Sequence, residues 1–275
     1  MKIDSHHHFW KYNPIEYNWI DESMKSIKKD FLPKDLKPIL DSNSIDGSIA
    51  VQAHQSEEET LFLLKLAEKF NFIKGVIGWL DIKANDFEER LIFFKKNRLF
   101  KGLRHIVQDE KNDFLLNPEF QNGISKLSKF DLTYDLLIYP KQLYPAIELV
   151  KKFPNQTFIL DHIAKPNISK KINQEWIDNI KSLSNYQNVY CKISGMVTET
   201  EDYKWEIDNF NPFLDVIVNS FGVDRLLFGS DWPVCLLAGK YKDILNIVTN
   251  YFKKYSERDQ KKILGENAIK VYNII

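Results

Sequence analysis

Three consecutive histidines occupy positions 6–8, in Met1-Lys2-Ile3-Asp4-Ser5-His6-His7-His8-Phe9-Trp10. Along a β-strand, side chains alternate between faces. His6 and His8 then point one way with Asp4 behind them, and His7 points the other. Two imidazoles at i and i+2 supply two arms of a metal site or two hydrogen-bond donors to one oxyanion. A purification-tag remnant would be longer and would not follow a strand-like Lys-Ile-Asp. A second chemical stretch lies far along the chain, in Leu226-Leu227-Phe228-Gly229-Ser230-Asp231-Trp232-Pro233. It is also an apolar run that ends in a carboxylate and an aromatic. Two strand-like runs that each end in chemistry point to one shared site.

The elements that position these residues recur along the whole chain. Short β-branched runs at 2–8, 47–53, 73–80, 102–107, 133–139, 158–163, 189–193 and 226–229 read as strands. Amphipathic helical stretches follow them, roughly thirty residues per unit, which is the signature of parallel strands with crossover helices. Ser56-Glu57-Glu58-Glu59 predicts a capping box, with Glu59 reaching back to the cap backbone. Asn117-Pro118 and Asn211-Pro212 predict helix starts, the second helix stopping at Gly222. Helices are also expected over 142–153 and 242–255, and a last one from Ser256 that pauses at Gly265 and resumes through Ile274. Eight strand–helix units predict one α/β domain over 1–275, a single (β/α)8 TIM barrel. An open doubly wound sheet would carry a Gly-rich loop after its first strand, where this chain has histidines.

In such barrels the active site stands at the C-terminal ends of the strands. Strand one brings His6, His8 and Trp10 there; strand two brings Gln52 and His54; strand three, Trp79 and Asp81. Strand four brings Arg104 or His105, depending on register, and then Gln108. Strand five brings Asp135 and Tyr139, strand six His162 and Lys165, strand seven Lys192, Ser194 and Gly195, and strand eight Asp231 and Trp232. Lys192 is either a catalytic amine, a partner for a carboxylate inside the barrel, or a residue facing the helices. The long segment 11–34, with Tyr12, Pro14, Tyr17, Trp19 and Phe31, is either a substrate cover or a packing segment that closes one barrel end.

Bulk composition narrows the class. Lys plus Arg is 38 and Asp plus Glu is 38, so there is no basic excess for nucleic acid or an anionic membrane. The hydrophobic share of 44% supports a large core. No run is long enough to span a membrane. Cys191 and Cys235 form no Cys-x-x-Cys motif, and a reduced, cytoplasmic protein is expected.

Taken together, Asp4-x-His6-x-His8-x-Trp10, Gly102-Leu103-Arg104-His105-x-x-Gln108, Leu160-Asp161-His162-x-x-Lys165-Pro166 and Phe228-Gly229-Ser230-Asp231-Trp232-Pro233 resemble the amidohydrolase superfamily. The resemblance narrows to a lactonase-like branch that includes sugar lactonases and pyrone dicarboxylate lactonase. The ending Gly265-Glu266-Asn267-Ala268-x-x-x-Tyr272 fits it too, so the likeness spans nearly the whole chain. It implies a hydrolase that opens a sugar-acid lactone such as L-fuconolactone, with Asp231 as general base. His6, His8 and His162 would polarise the carbonyl, directly or through a metal. Arg104, His105, Trp10, Gln52, Tyr139 and Trp232 would bind substrate. Strand five lacks the histidine, and strand four the bridging acid, of binuclear members. The resemblance therefore implies no cofactor, or at most one divalent metal such as zinc on His6, His8, His162 and Asp231. A metal-dependent non-oxidative decarboxylase of an aromatic or enoic acid is the alternative, since similar barrels carry that activity. A phosphodiesterase or a non-catalytic binding barrel has less support. The expected partner is a small molecule; oligomeric state is not legible.

Overall fold

Eight parallel strands pair in sequence order in the computed structural model, which describes residues 1–274. They are β1 (Ile3–His7), β2 (Gly47–Val51), β3 (Ile73–Gly78), β4 (Phe100–His105), β5 (Thr133–Leu136), β6 (Phe158–Leu160), β7 (Val189–Ile193) and β8 (Leu226–Phe228). The sheet closes between β8 and β1. The Asp231 amide donates to the His6 carbonyl at 2.8 Å, and the His8 amide to the Trp232 carbonyl at 2.7 Å. The molecule is a (β/α)8 TIM barrel.

Ten α-helices among the described residues complete the ring: α1 (Pro33–Ser42), α2 (Glu57–Lys69), α3 (Phe87–Lys95), α4 (Pro118–Leu127), α5 (Leu143–Lys152), α6 (Gln174–Ser184), α7 (Asn211–Phe221), α8 (Tyr241–Phe252), α9 (Glu257–Lys261) and α10 (Asn267–Val271). Asn117 caps α4 by accepting from the Glu119 and Phe120 amides, ahead of Pro118. The α2 box is only half formed. Ser56 accepts from the Glu59 amide, but the Glu59 carboxylate turns inward to the Ala53 and His54 amides and the Tyr17 hydroxyl. Gly222, with φ +66°, ends α7 as its position predicts. The last helix is split by a π-type turn over Lys262–Glu266.

Strands β5, β6 and β8 are shorter than their apolar runs suggest. Beyond Leu160 the chain enters left-handed backbone, with φ of +53°, +51°, +63° and +49° from His162 to Lys165. A β-ladder cannot continue through that conformation.

Two layers fill the barrel. Ile3, Ile49, Val51, Ile77, Ile159 and Leu227 form an apolar floor, plugged by Tyr272 and Ile274. Above it lies a polar layer built on His6, Arg104, Asp135, Asp161 and Lys192, all buried. The register of β1 against β2 shifts between Asp4 and His7. Asp4 is therefore not behind His6. It faces the helices, where Ser230 (amide at 2.9 Å, hydroxyl at 2.6 Å) and the Tyr241 hydroxyl of α8 at 3.1 Å donate to it.

Segment 11–32 folds back over the C-terminal mouth. Trp10 and Phe31 exchange both backbone hydrogen bonds at 3.0 Å, and a short 3-10 helix spans Glu22–Ile27. Tyr17 is tied to Glu59, and the Trp19 indole donates to the Ala53 carbonyl at 3.1 Å. The segment both packs and covers, since it also supplies a wall of the cavity described next.

Candidate active site

The polar layer is centred on His6. Its Nδ1 lies 3.4 Å from Asp161 Oδ1 and 3.2 Å from Lys192 Nζ. Its Nε2 lies 3.3 Å from Arg104 Nη1 and 3.7 Å from Asp231 Oδ1. Burial pushes the His6 pKa well below its ordinary value, so the ring is neutral. Lys192 pairs with Asp135 and, at 3.0 Å, with Asp161 Oδ1, while Arg104 Nη1 reaches Asp161 Oδ2 at 3.1 Å. Burial raises the Asp135 pKa to about 6 against the pull of Lys192. Burial also works against the Asp161 charge, but Lys192, with His6 and Arg104, holds that carboxyl well below its usual range. Two cations thus balance two carboxylates in the barrel centre.

The mouth holds His8, His162 and Asp231. Asp231 Oδ1 lies 3.3 Å from His8 Nε2. Burial disfavours the Asp231 charge, yet His162, His8 and His6 outweigh it and keep its pKa below the ordinary carboxylate value. Burial lowers His162 to about 4, so the attraction from that ring acts only in acid. His162 Nδ1 is 2.9 Å from the Ser194 hydroxyl. Both Asp231, with φ +57°, and His162 hold left-handed backbone, strain of the kind that collects at functional sites. Gly195, φ +60°, lets the backbone pass beside His162: a Cβ there would sit 2.4 Å from His162 Nδ1.

A hydrogen bond fixes the tautomer of His8. His8 Nδ1 lies 2.8 Å from the Val51 carbonyl, which can only accept, so Nδ1 carries the proton. In the neutral ring, His8 Nε2 then turns a lone pair toward Asp231. Both nitrogens of His6 face donors, Arg104 Nη1 at Nε2 and Lys192 Nζ at Nδ1, and the neutral ring can accept from only one of them. His6, His8 and Asp231 each offer one ligand atom, all within 4.8 Å of one another. The other nitrogen of His8 is held by the Val51 carbonyl, and a cation would take the His6 nitrogen that Arg104 otherwise meets. This donor set and its outer support fit one zinc-like cation. A second cluster, His6, Asp161 and His162, overlaps the first, but Lys192 and Arg104 already neutralise its carboxylate. His162 belongs to this second cluster and not to the first.

A cavity of about 380 Å³ opens above these groups, lined by His8, Arg104, Tyr139, His162, Lys165, Glu199 and Asp231, with Trp19 and Met24 from the covering segment. Lys165 Nζ stands 3.8 Å from Glu199 and 5.7 Å from the Tyr139 ring centre. Burial raises the Glu199 pKa. The buried Arg104 Nε has no hydrogen-bond partner among the described residues.

Among the residues anticipated from sequence, His8, His162, Asp231, Arg104 and Tyr139 line the cavity and His6 lies directly beneath. Gln52, His105, Trp10 and Trp232 do not reach it. The register of β4 pairs Arg104 with the inward Asp135, which turns His105 outward. His105 there stacks on Phe114 at 4.9 Å and meets Glu110 at 2.9 Å. Gln52 holds Arg104, accepting from Nη2 at 3.0 Å. The Trp10 indole donates to the Lys29 carbonyl at 2.8 Å inside the covering segment. Trp232 packs on Phe9 and Phe31. Lys192 takes the second of its three expected places, paired with carboxylates inside the barrel. Asp161, Glu199 and Met24 were missed as site residues, and Trp19 was anticipated only as part of a segment that either covers substrate or packs. Asp161 stood in the strand-six motif beside His162; the others lie in irregular connections, Met24 and Glu199 in short 3-10 turns, with no periodic signal.

A closed parallel barrel with histidines on strand one and an aspartate after strand eight at its C-terminal mouth defines the hydrolytic barrels built on His and Asp. Residues 3–274 match the amidohydrolase family, and the chain belongs to it. It is 33% identical to an L-fucono-1,5-lactonase of Burkholderia multivorans, covering 99% of this chain and 96% of that one. An L-fucono-1,5-lactonase of Burkholderia ambifaria is 31% identical over 88% of this chain and 84% of that one. A crystal structure of an amidohydrolase from Burkholderia multivorans with zinc bound superposes with a TM-score of 0.97, at 32% identity and full coverage of both chains.

Proposed function

We propose that this protein hydrolyses the lactone of a sugar acid, of the L-fucono-1,5-lactone class, to the open hydroxy acid. The observation that carries this reading is the convergence of Asp231 with His6, His8 and His162 beneath a cavity sized for one small ring. The lactonase relatives, similar over nearly the full chain, support the substrate class.

Asp231 takes a proton from a water molecule as the water oxygen attacks the lactone carbonyl carbon. Negative charge gathers on the former carbonyl oxygen, where the Arg104 guanidinium at the cavity wall stabilises it. As the tetrahedral centre collapses, the bond to the ring oxygen breaks. That oxygen leaves with the proton Asp231 took, which yields the hydroxy acid. His162, held by Ser194, orients the attacking water beside Asp231. Tyr139 and Trp19 offer aromatic faces to the apolar side of the sugar ring, and the Lys165–Glu199 pair offers hydrogen bonds to its hydroxyls. His6, His8 and Asp231 would hold a divalent metal, which when bound supplies Lewis-acid polarisation of the carbonyl. The buried, unpaired thiols of Cys191 and Cys235 suit the cytoplasm.

An indicator assay on a panel of aldonolactones, before and after chelation and with elemental analysis, tests the reading. Turnover of fuconolactone or rhamnonolactone is the expected result. No turnover on any lactone, by a folded protein with its metal in place, would overturn it and favour the decarboxylase.

A further inference from the structure

Helix α3 carries a self-complementary outer stripe. Its inner face is Phe87, Leu91 and Phe94, all buried. Glu89, Ile92, Phe93 and Lys96, spaced i, i+3, i+4, i+7, share the opposite face, and all four are exposed. Ile92 is 51% exposed and Phe93 49%. Neither Glu89 nor Lys96 is in an ion pair among the described residues. The stripe reads acid, apolar, apolar, base, and its charge reverses about the midpoint between Ile92 and Phe93.

A two-fold contact needs a surface that complements itself. Laid antiparallel on its own copy, this stripe puts Ile92 and Phe93 against the same pair and Glu89 against the second copy's Lys96, twice. The surroundings repeat the pattern. A cleft of about 1030 Å³ at the C-terminal end of α3 is lined by Lys65, Lys74, Lys96, Arg98 and Lys101, with Glu68 its one acid. None of these is in an ion pair among the described residues. Burial, and after it Lys95 and Arg98, lowers the Lys101 pKa. The N-terminal end of α3 is acidic, with Asp86 and Glu89 exposed. An antiparallel partner would set its acidic end over this basic cleft.

We propose that the protein associates as a two-fold homodimer through α3, with Ile92 and Phe93 at the centre and Glu89–Lys96 pairs on either side. Nine-residue helices alone are too small for a stable interface, which needs roughly 1,200–2,000 Å². Leu61 of α2, 37% exposed, and the cleft walls must add to it. The dimer is therefore of modest affinity, and salt weakens it. The cavity takes no residue from α3 and stays open.

Sedimentation equilibrium of the full chain at low salt tests this. The mass should rise with concentration from 32.5 kDa toward twice that value. Phe93→Glu should remain monomeric with an unchanged melting temperature. Glu89→Lys and Lys96→Glu should each raise the dissociation constant roughly tenfold, and the double swap should restore it. A monomer at every concentration would overturn the proposal. So would a dimer indifferent to Phe93→Glu, or single-swap losses that the double variant does not rescue.

Discussion

His8 shows how much chemistry a single hydrogen bond decides. Because its Nδ1 faces the Val51 carbonyl, its Nε2 is the nitrogen that meets the Asp231 carboxylate, across 3.3 Å. A hydrogen between the two atoms, or a cation there, keeps Asp231 ionised. Asp231 is thus suited to take a proton only during the reaction. Asp231→Asn is expected to lower kcat by about 10²–10⁴-fold with no change in melting temperature. Elemental analysis of the same variant separates its two roles: lost turnover with metal retained leaves proton transfer as the function removed. A near-native rate would remove Asp231 from the chemistry altogether. His7, on the other face of the strand, is buried and meets the Ser48 hydroxyl at 2.9 Å, outside the site.

At the scale of elements, the shift in β1 register and the half-formed α2 cap do the positioning. The first turns Asp4 out to α8 and leaves His6 and His8 facing Asp231. The second frees Glu59 to clamp the β2–α2 loop to Tyr17 in the covering segment. Burial raises the Glu59 pKa to about 8 from 4.5. The folded state then holds this proton more tightly than the unfolded chain. Its contribution to stability is complete below about pH 4.5 and is lost as pH rises to about 8. The melting temperature of wild type relative to Glu59→Gln should fall across that window and level off above it. A flat difference would show Glu59 ionised at no cost. Thermal melts in a pH series make the measurement.

At the scale of the molecule, the barrel floor joins the two ends of the chain. Gly265, in the π-type turn before α10, lies so close to β1 that an added Cβ would meet the Met1 carbonyl oxygen at 2.2 Å and Lys2 Cα at 3.0 Å. Both are backbone atoms, which cannot swing away. Gly265→Ala should cost about 1–3 kcal/mol in urea unfolding while lactone turnover persists, because the mouth lies at the opposite end. An unchanged midpoint would mean the terminal helices pack loosely under the barrel. No helix among the described residues is long and apolar enough to cross a membrane.

Much of this was legible before any tertiary structure. Alternating β-branched runs and amphipathic stretches determine a parallel barrel, because strand and helix each bury one apolar face and the crossovers between them are local. His6, His8, His162 and Asp231 were legible for the same reason: each stands where a recognisable strand ends. Local periodicity does not carry what happens across the barrel. The shift in β1, the pairing that chose Arg104 over His105, and the left-handed run at His162 depend on contacts between residues far apart in the chain. So does the burial of Trp10 and Trp232, which look like ring-stacking residues but pack the covering segment, while Trp19 from its interior reaches the cavity. Asp161 and Lys192 were visible as charged residues near strand ends. Only the closed barrel decided that they pair at its centre, where little water remains to solvate either one alone.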